Sequence, residues 1–151
     1  MNEAIRLIRA FFPESRAVVS QAQGIPWQPL LEAMTWAEWG EVRDLELAGS
    51  DADVYAELLA RAGIAPRGRV VFVPEAEDAR WLPRLPAPVI CDAQALPRRL
   101  AELAAALHEG ALFGGALHDS VFVYESGEAL LLNHDARLWW ARSKLRRPPP
   151  R

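Results

Sequence analysis

Two His-Asp dipeptides, His118-Asp119 and His134-Asp135, bracket a pair of apolar runs separated by Ser126-Gly127. An imidazole beside a carboxylate is a minimal general-base unit, because the carboxylate fixes the ring tautomer and raises its basicity. Two imidazoles and two carboxylates could also hold a divalent ion, with zinc or a non-haem metal the natural candidates. A hairpin closed by a two-residue turn at Ser126-Gly127 would set His118 opposite Asp135 and Asp119 opposite His134. Facing side chains have Cβ atoms about 5 Å apart, close enough for imidazole–carboxylate contact. Sequence neighbours on a strand project to opposite faces, so the two pairs would fall on opposite sides of the sheet. A four-residue centre therefore requires distorted strand ends. A three-residue turn would pair Asp119 with Asp135 instead. The alternative role for all four is as strand-end polar groups that satisfy the backbone and one another.

Cys91 is a further candidate. It ends a short apolar run, and open α/β sheets often bind ligands at the C-terminal ends of strands. Beside His118 or His134 it could act as a thiolate nucleophile; otherwise it is a small buried hydrophobe. As the single cysteine it excludes an internal disulfide and suits a reducing compartment, so a cytoplasmic location is expected. The chain has no nucleophile elbow, Walker loop, dinucleotide fingerprint, metal-binding cysteine set or zincin helix. No cofactor or metal is expected, and weight moves from catalysis toward binding.

The candidates for binding are aromatic. Trp36 and Trp39 lie close together, with core and core-edge filling the alternative to a recognition surface, and Trp139-Trp140 is flanked by Arg137 and Arg142. On a strand the Trp139-Trp140 pair sends one indole to each face. One enters the core; the other packs under a helix or forms, with the arginines, a patch of the composition used in protein recognition. Stacking of single-stranded nucleic acid on the same residues is opposed by charge. The chain carries a net −3, but residues 1–136 hold eleven basic against twenty acidic residues, a net −9, while residues 137–151 hold six basic residues and no acid. An acidic body with a basic tail suits a basic protein partner.

These residues need a frame to position them. The 151 residues, half of them hydrophobic, suit one domain. Asn2–Phe12 has helical spacing, carries Glu3, Arg6 and Arg9, and lacks the apolar core of a secretory signal. No apolar run is long enough to span a membrane. Pro13 stops the helix, Arg16–Gln21 reads as a strand, and Gly24, Pro26 and Pro29 enforce a loop. A helix starts near Pro29, and Thr35 with Glu38 fits a capping box, which leaves one helix or two open. Glu41–Leu47 reads as a strand. Ser50 caps a helix that ends at Gly63. Arg69–Pro74 is apolar on both faces, hence an interior strand. Pro83, Pro86 and Pro88 stiffen a connection to a buried strand at Val89–Cys91. Leu96, Leu100, Leu103 and Leu107 mark a helix ending at Gly110. The hairpin and a strand at Leu138–Ala141 complete the order.

The predicted fold is α/β or α+β: a single-domain mixed β-sheet flanked by helices, with a C-terminal antiparallel hairpin or three-stranded meander. The domain spans 1–143, and 144–151 reads as a basic, Pro-rich disordered tail. A small, acidic, Trp-rich chain without catalytic motifs resembles bacterial toxin-neutralising immunity proteins and similar adaptor modules. That resemblance is compositional and assigns no residue a role. It implies a non-enzymatic protein–protein interaction module. The alternatives are a small hydrolase or metal-dependent enzyme using His118, Asp119, His134 and Asp135, and a homodimer in which the last strand pairs with its twin at a sheet edge.

Overall fold

The computed structural model describes residues 2–19, 27–76, 88–106, 112–113 and 117–146. Helix α1, Asn2–Phe11, buries Ile5, Leu7, Ile8 and Phe11 along one side. Pro13 ends it as expected and opens a short 3-10 turn, Pro13–Ser15, in which the Ser15 hydroxyl donates to the Phe12 carbonyl at 2.6 Å. That turn feeds directly into α2, Arg16–Val19, with Arg16 already in helical geometry. The expected strand at Arg16–Gln21 is therefore corrected to a helix as far as Val19. The β preference of two valines is a weak prior, and packing of Val18 against the core overrides it. The expected loop at Gly24 and Pro26 lies outside the described residues.

Helix α3 runs from Trp27 to Met34, a single helix. Thr35 closes it rather than capping another: its hydroxyl donates back to the Glu32 carbonyl at 2.6 Å. Strand β1, Glu38–Val42, begins earlier than the Glu41–Leu47 strand expected. Gly40 explains why the sequence pattern there is weak. A Cβ at Gly40 would lie 2.6 Å from the Trp140 indole, so the strand gives up a side chain to let that ring lie across it.

Helix α4, Asp51–Ala62, follows its local signals. The Ser50 hydroxyl accepts the Asp53 amide at 3.2 Å, and Gly63 at φ +68° turns the chain out. Asp51 does more than charge the first turn. Its buried carboxylate accepts the amides of Leu112 and Phe113 at 2.8 and 3.1 Å, which ties the segment before the meander to the helix. Strand β2 is Arg69–Ala76 and β3 is Val89–Asp92; helix α5 is Leu96–Ala106. The proline-rich connection and the expected helix end at Leu107–Gly110 lie outside the described residues. Strands β4 (Leu117–Tyr124), β5 (Glu128–Leu132) and β6 (Leu138–Arg142) form the C-terminal meander.

The six strands order as β1-β6-β5-β4-β2-β3, and every pairing is antiparallel. Within the expected class the chain takes the α+β form, and among the described residues no strand pair is parallel. One face of the sheet (Phe72, Phe122, Tyr124, Leu130, Leu138) packs with α4 and α5. The other (Val71, Val73, Val121, Val123, Leu131, Trp139) packs under α1 and α3. Helices on both sides make the interior strands apolar on both faces, which is why Arg69–Pro74 reads as a continuous apolar run. Two expectations change. Val89–Cys91 is an edge strand and only half-buried. The last strand is not at an edge: β6 lies between β1 and β5, so it has no free side on which to pair with a twin.

The hairpin register also differs from expectation. Ser120 pairs with Leu132 and Val123 with Ala129, so the turn is the three-residue loop Glu125-Ser126-Gly127, with Gly127 at φ +100°. A three-residue loop ending in a left-handed residue is a standard hairpin closure. The next hairpin repeats it: Asn133 N–H donates to the Arg137 carbonyl at 3.0 Å around His134-Asp135-Ala136, with Ala136 at φ +58°. Here a residue with a Cβ occupies the position that glycine takes in the first loop. Beyond β6 the chain stays attached. The buried carboxylate of Glu14 accepts the Ser143 hydroxyl at 2.6 Å and the Lys144 amide at 2.8 Å, and Arg146 donates to the Ala10 carbonyl at 3.0 Å. Lys144–Arg146, expected to begin the tail, are thus tied to α1 and the turn after it; 147–151 lie outside the described residues.

Candidate functional site

Asp119 lies within β4, one residue before the first β4–β5 pair, Ser120–Leu132, on the α1/α3 side of the sheet. The β5–β6 turn comes up beside it. That turn is stiffened by Asn133, whose side-chain oxygen accepts the amides of Asp135 and Arg137, both at 3.0 Å. A short polar side chain that caps its own turn in this way fixes the direction of the residues between. His134 is therefore presented to Asp119: its amide donates to the Asp119 carboxylate at 3.1 Å, and its Nδ1 lies 3.4 Å from the same oxygen. The expected Asp119–His134 pairing is realised, but through the turn backbone and a register one residue different from the one that suggested it.

The two line a cleft of about 540 Å³ with Trp27, Gln28, Asn133, Arg137 and Trp139. Its chemistry is limited by the ring's surroundings. His134 Nε2 lies 3.6 Å from the Asp135 carboxylate, so both ring nitrogens face carboxylates. The ring itself stays about half exposed, with its Nδ1 edge toward Asp119 and its Nε2 edge toward Asp135. Asp135 is exposed in the turn and does not face His118 across a strand pair. His118 lies in β4 by its backbone; its side chain is outside the described residues. Among the described residues, no three His, Cys, Asp or Glu side chains converge as a metal site.

Cys91 belongs elsewhere. On β3 it pairs with Val70 of β2 and packs against the α4/α5 side of the core, with β2 and β4 between it and the strand that leads to His134. Burial, the largest cause, pushes its thiol pKa above the ordinary value; nearby Asp92 adds to the rise and Arg99 opposes it. A thiol held protonated is a poor nucleophile.

The tryptophans divide into two groups. Trp139 is buried, in edge-to-face contact with Trp27 at 5.6 Å between ring centres, and the Arg137 guanidinium lies 4.8 Å over its ring. Arg137 is also ion-paired to Glu41, and that hydrogen bond is the main reason the Glu41 carboxyl titrates below its usual range. Trp140 is half-buried on the other face, beneath the Arg142 guanidinium at 5.1 Å. Arg142 in turn reaches the Gly63 carbonyl at 2.6 Å and Glu38 at 3.6 Å. These four residues lock β6 to its neighbours. Trp36 and Trp39 are different: they are 48% and 47% exposed, at the entry to β1 and on it. β1 bonds to β6 on one side, and no strand among the described residues bonds to its other side.

Next to that edge lies a feature not singled out from the sequence. Asp44, Glu46, Asp53 and Glu57 line a second cleft of about 500 Å³ between α4 and the segment that follows β1, with Arg61 at its rim. The signal was available as charge density, since residues 38–57 contain seven acids and one arginine. Asp44 adopts φ +60°, which turns the chain out of β1 and brings the acidic segment against the helix.

No helix among the described residues is long and apolar enough to cross a membrane. No protein-family model matches the chain, and comparison with curated proteins and with solved structures finds no match to either.

Proposed function

We propose that the chain is a non-enzymatic protein-recognition module, of the immunity-protein or adaptor kind, acting in the cytoplasm. The observation that carries this reading is the exposure of Trp36 and Trp39 at an edge strand. A large aromatic side chain buries about 150–250 Å² when covered, and leaving two indoles about half exposed forgoes part of that gain in the isolated chain. Tryptophans of this kind are the residues that dominate protein–protein binding energy when a partner covers them. The reducing setting accords with a single unpaired cysteine.

The test is capture of partners from the native host by the full chain and by a Trp36→Ser/Trp39→Ser variant. A photo-crosslinking residue at position 38 would identify what lies against β1. The wild type should crosslink one dominant protein, and the variant should lose it while retaining its circular dichroism spectrum. If the variant captures the same protein with equal yield, the two indoles are not the recognition surface and the reading fails.

A further inference from the structure

We infer that the partner's contact segment is an extended, basic stretch of polypeptide that adds as a strand to the free side of β1 and places cationic side chains in the Asp44–Glu57 cleft. This rests on the protein-recognition reading above and names the partner's chemistry and its mode of docking.

An edge strand presents a row of unpaired amides and carbonyls, and proteins commonly blunt such edges with lysine, proline or a bulge. β1 reads Glu-Trp-Gly-Glu-Val and pairs with β6 in continuous register from Glu38–Arg142 to Val42–Leu138. It contains no lysine, proline or bulge. Its own charges are already compensated: Glu38 by Arg142, and Glu41 by Arg137 and Arg43. A strand laid beside it would meet Glu41 held by two arginines, Glu38 with Arg142 at 3.6 Å and, on the α1/α3 side, the exposed Trp39 ring.

The surplus charge begins two residues past the end of β1. Asp44, Glu46 and Asp53 have no cationic partner among the described residues, and Glu57 meets Arg61 only at 3.8 Å with both side chains about half exposed. A partner strand running along β1 and past Val42 delivers its side chains to this cleft. Charge also decides against the obvious competitor. A second copy paired antiparallel through β1 would carry its own acidic group to the far end of the seam and set against this cleft a segment, residues 32–42, that holds no cation. A basic segment turns the same field into attraction and faster encounter. Main-chain bonding supplies affinity in such strand addition, and the side chains supply selection.

The experiment uses the full chain and three synthetic ten-residue peptides. One alternates Arg and Val, one alternates Glu and Val, and the third is the Arg/Val peptide with alternate amides N-methylated. Binding is read by tryptophan fluorescence and calorimetry, and strand addition by slowed hydrogen exchange at the amides of residues 38–42. The Arg/Val peptide should bind and protect those amides, and its affinity should fall about tenfold or more between low and high salt. A Glu46→Lys/Glu57→Lys variant should lose about tenfold in affinity, with Glu46→Gln/Glu57→Gln intermediate, because the screened attraction of each charge is lost in steps. The inference is overturned if the Arg/Val peptide does not bind at millimolar concentration, or if either control peptide binds as well. It is also overturned if the charge variants bind unchanged, or if the chain alone has twice its monomer mass with residues 38–42 protected. Should Trp36→Ser/Trp39→Ser lose the native partner while the Arg/Val peptide fails to bind, protein recognition stands and only the basic-strand inference falls.

Discussion

The hydroxyls of Tyr55 on α4 and Tyr124 on β4 lie 2.7 Å apart, and each tyrosine is at most 3% exposed. Each is the other's hydrogen-bond partner in an otherwise apolar layer that also contains Phe72 and Phe122. Tyr55→Phe leaves the Tyr124 hydroxyl buried without a partner, and Tyr124→Phe does the same to Tyr55. Stranding a buried hydroxyl costs about 1–3 kcal/mol, whereas removing both partners of a pair is close to neutral. The two single variants should each lose about that much stability in urea unfolding, and Tyr55→Phe/Tyr124→Phe should recover most of it. The cycle thus yields a coupling energy of about 2–6 kcal/mol, close to the sum of the two single losses. The same pair sets an alkaline limit. Burial pushes the Tyr55 pKa up to about 12 and raises that of Tyr124 as well. An unfolded tyrosine ionises near pH 10, so above that pH the unfolded chain releases protons that the folded chain retains. Stability is whole below about pH 10. It then falls by about 1.4 kcal/mol per pH unit for Tyr55, about 2.7 kcal/mol by pH 12. The double Phe variant should lack this slope. Additive losses in the cycle, or an alkaline slope unchanged in the double variant, would refute the reasoning.

Asp51→Ala removes the acceptor for the Leu112 and Phe113 amides; stability should fall by about 2–4 kcal/mol, with hydrogen exchange at those two amides accelerating most. Ala136→Gly relieves a left-handed residue at φ +58°; after the entropy cost of glycine, chemical denaturation should show a gain of about 0.5–1 kcal/mol, and a loss there would mean that Ala136 contributes packing that outweighs strain. Gly40→Ala drives a Cβ to 2.6 Å from the Trp140 ring; it should cost about 1–3 kcal/mol and shift the Trp140 emission, and an unchanged midpoint would show that the ring moves aside freely.

What could be read from the chain follows the range of the interactions that decide it. Helix α4 is legible because Ser50 and Gly63 are local signals sufficient to start and stop it. The meander is legible because its apolar runs and turn residues lie close together in sequence. Its register is not, because the choice between a two- and a three-residue loop involves a distant contact: the Arg67 amide donates to the Ser126 hydroxyl at 2.9 Å. Likewise, nothing near Arg16–Val19 reports that a 3-10 turn hands it a helical start. That Asp119 and His134 would meet was readable from their placement at two strand ends. That Asp135 would flank the other nitrogen was not, because it depends on how Asn133 bends the turn. The arginines beside Trp139 and Trp140 suggested a recognition patch, and their use in holding β6 depends on Glu41, Glu38 and Gly63 arriving from far upstream. For Trp36 and Trp39 residue type left core filling and a recognition surface both open, and only the folded chain shows them about half exposed.

Strand β1 is joined to the sheet by β6, and the ion pair that fastens them, Glu41 to Arg137, spans 96 residues of chain. Glu14 waits longer still, for Ser143 and Lys144. On a ribosome, both would therefore emerge well before what completes them. While the middle of the chain is being made, β1 has two open sides instead of one, and the carboxylate of Glu14 has no donors to draw it inward. Long-range pairing of this kind delays folding until the distant segment exists. Emergence of β6 and the residues after it is then the step that completes both contacts, and an arrested nascent chain lacking β6 should be far more sensitive to protease than its length alone would suggest.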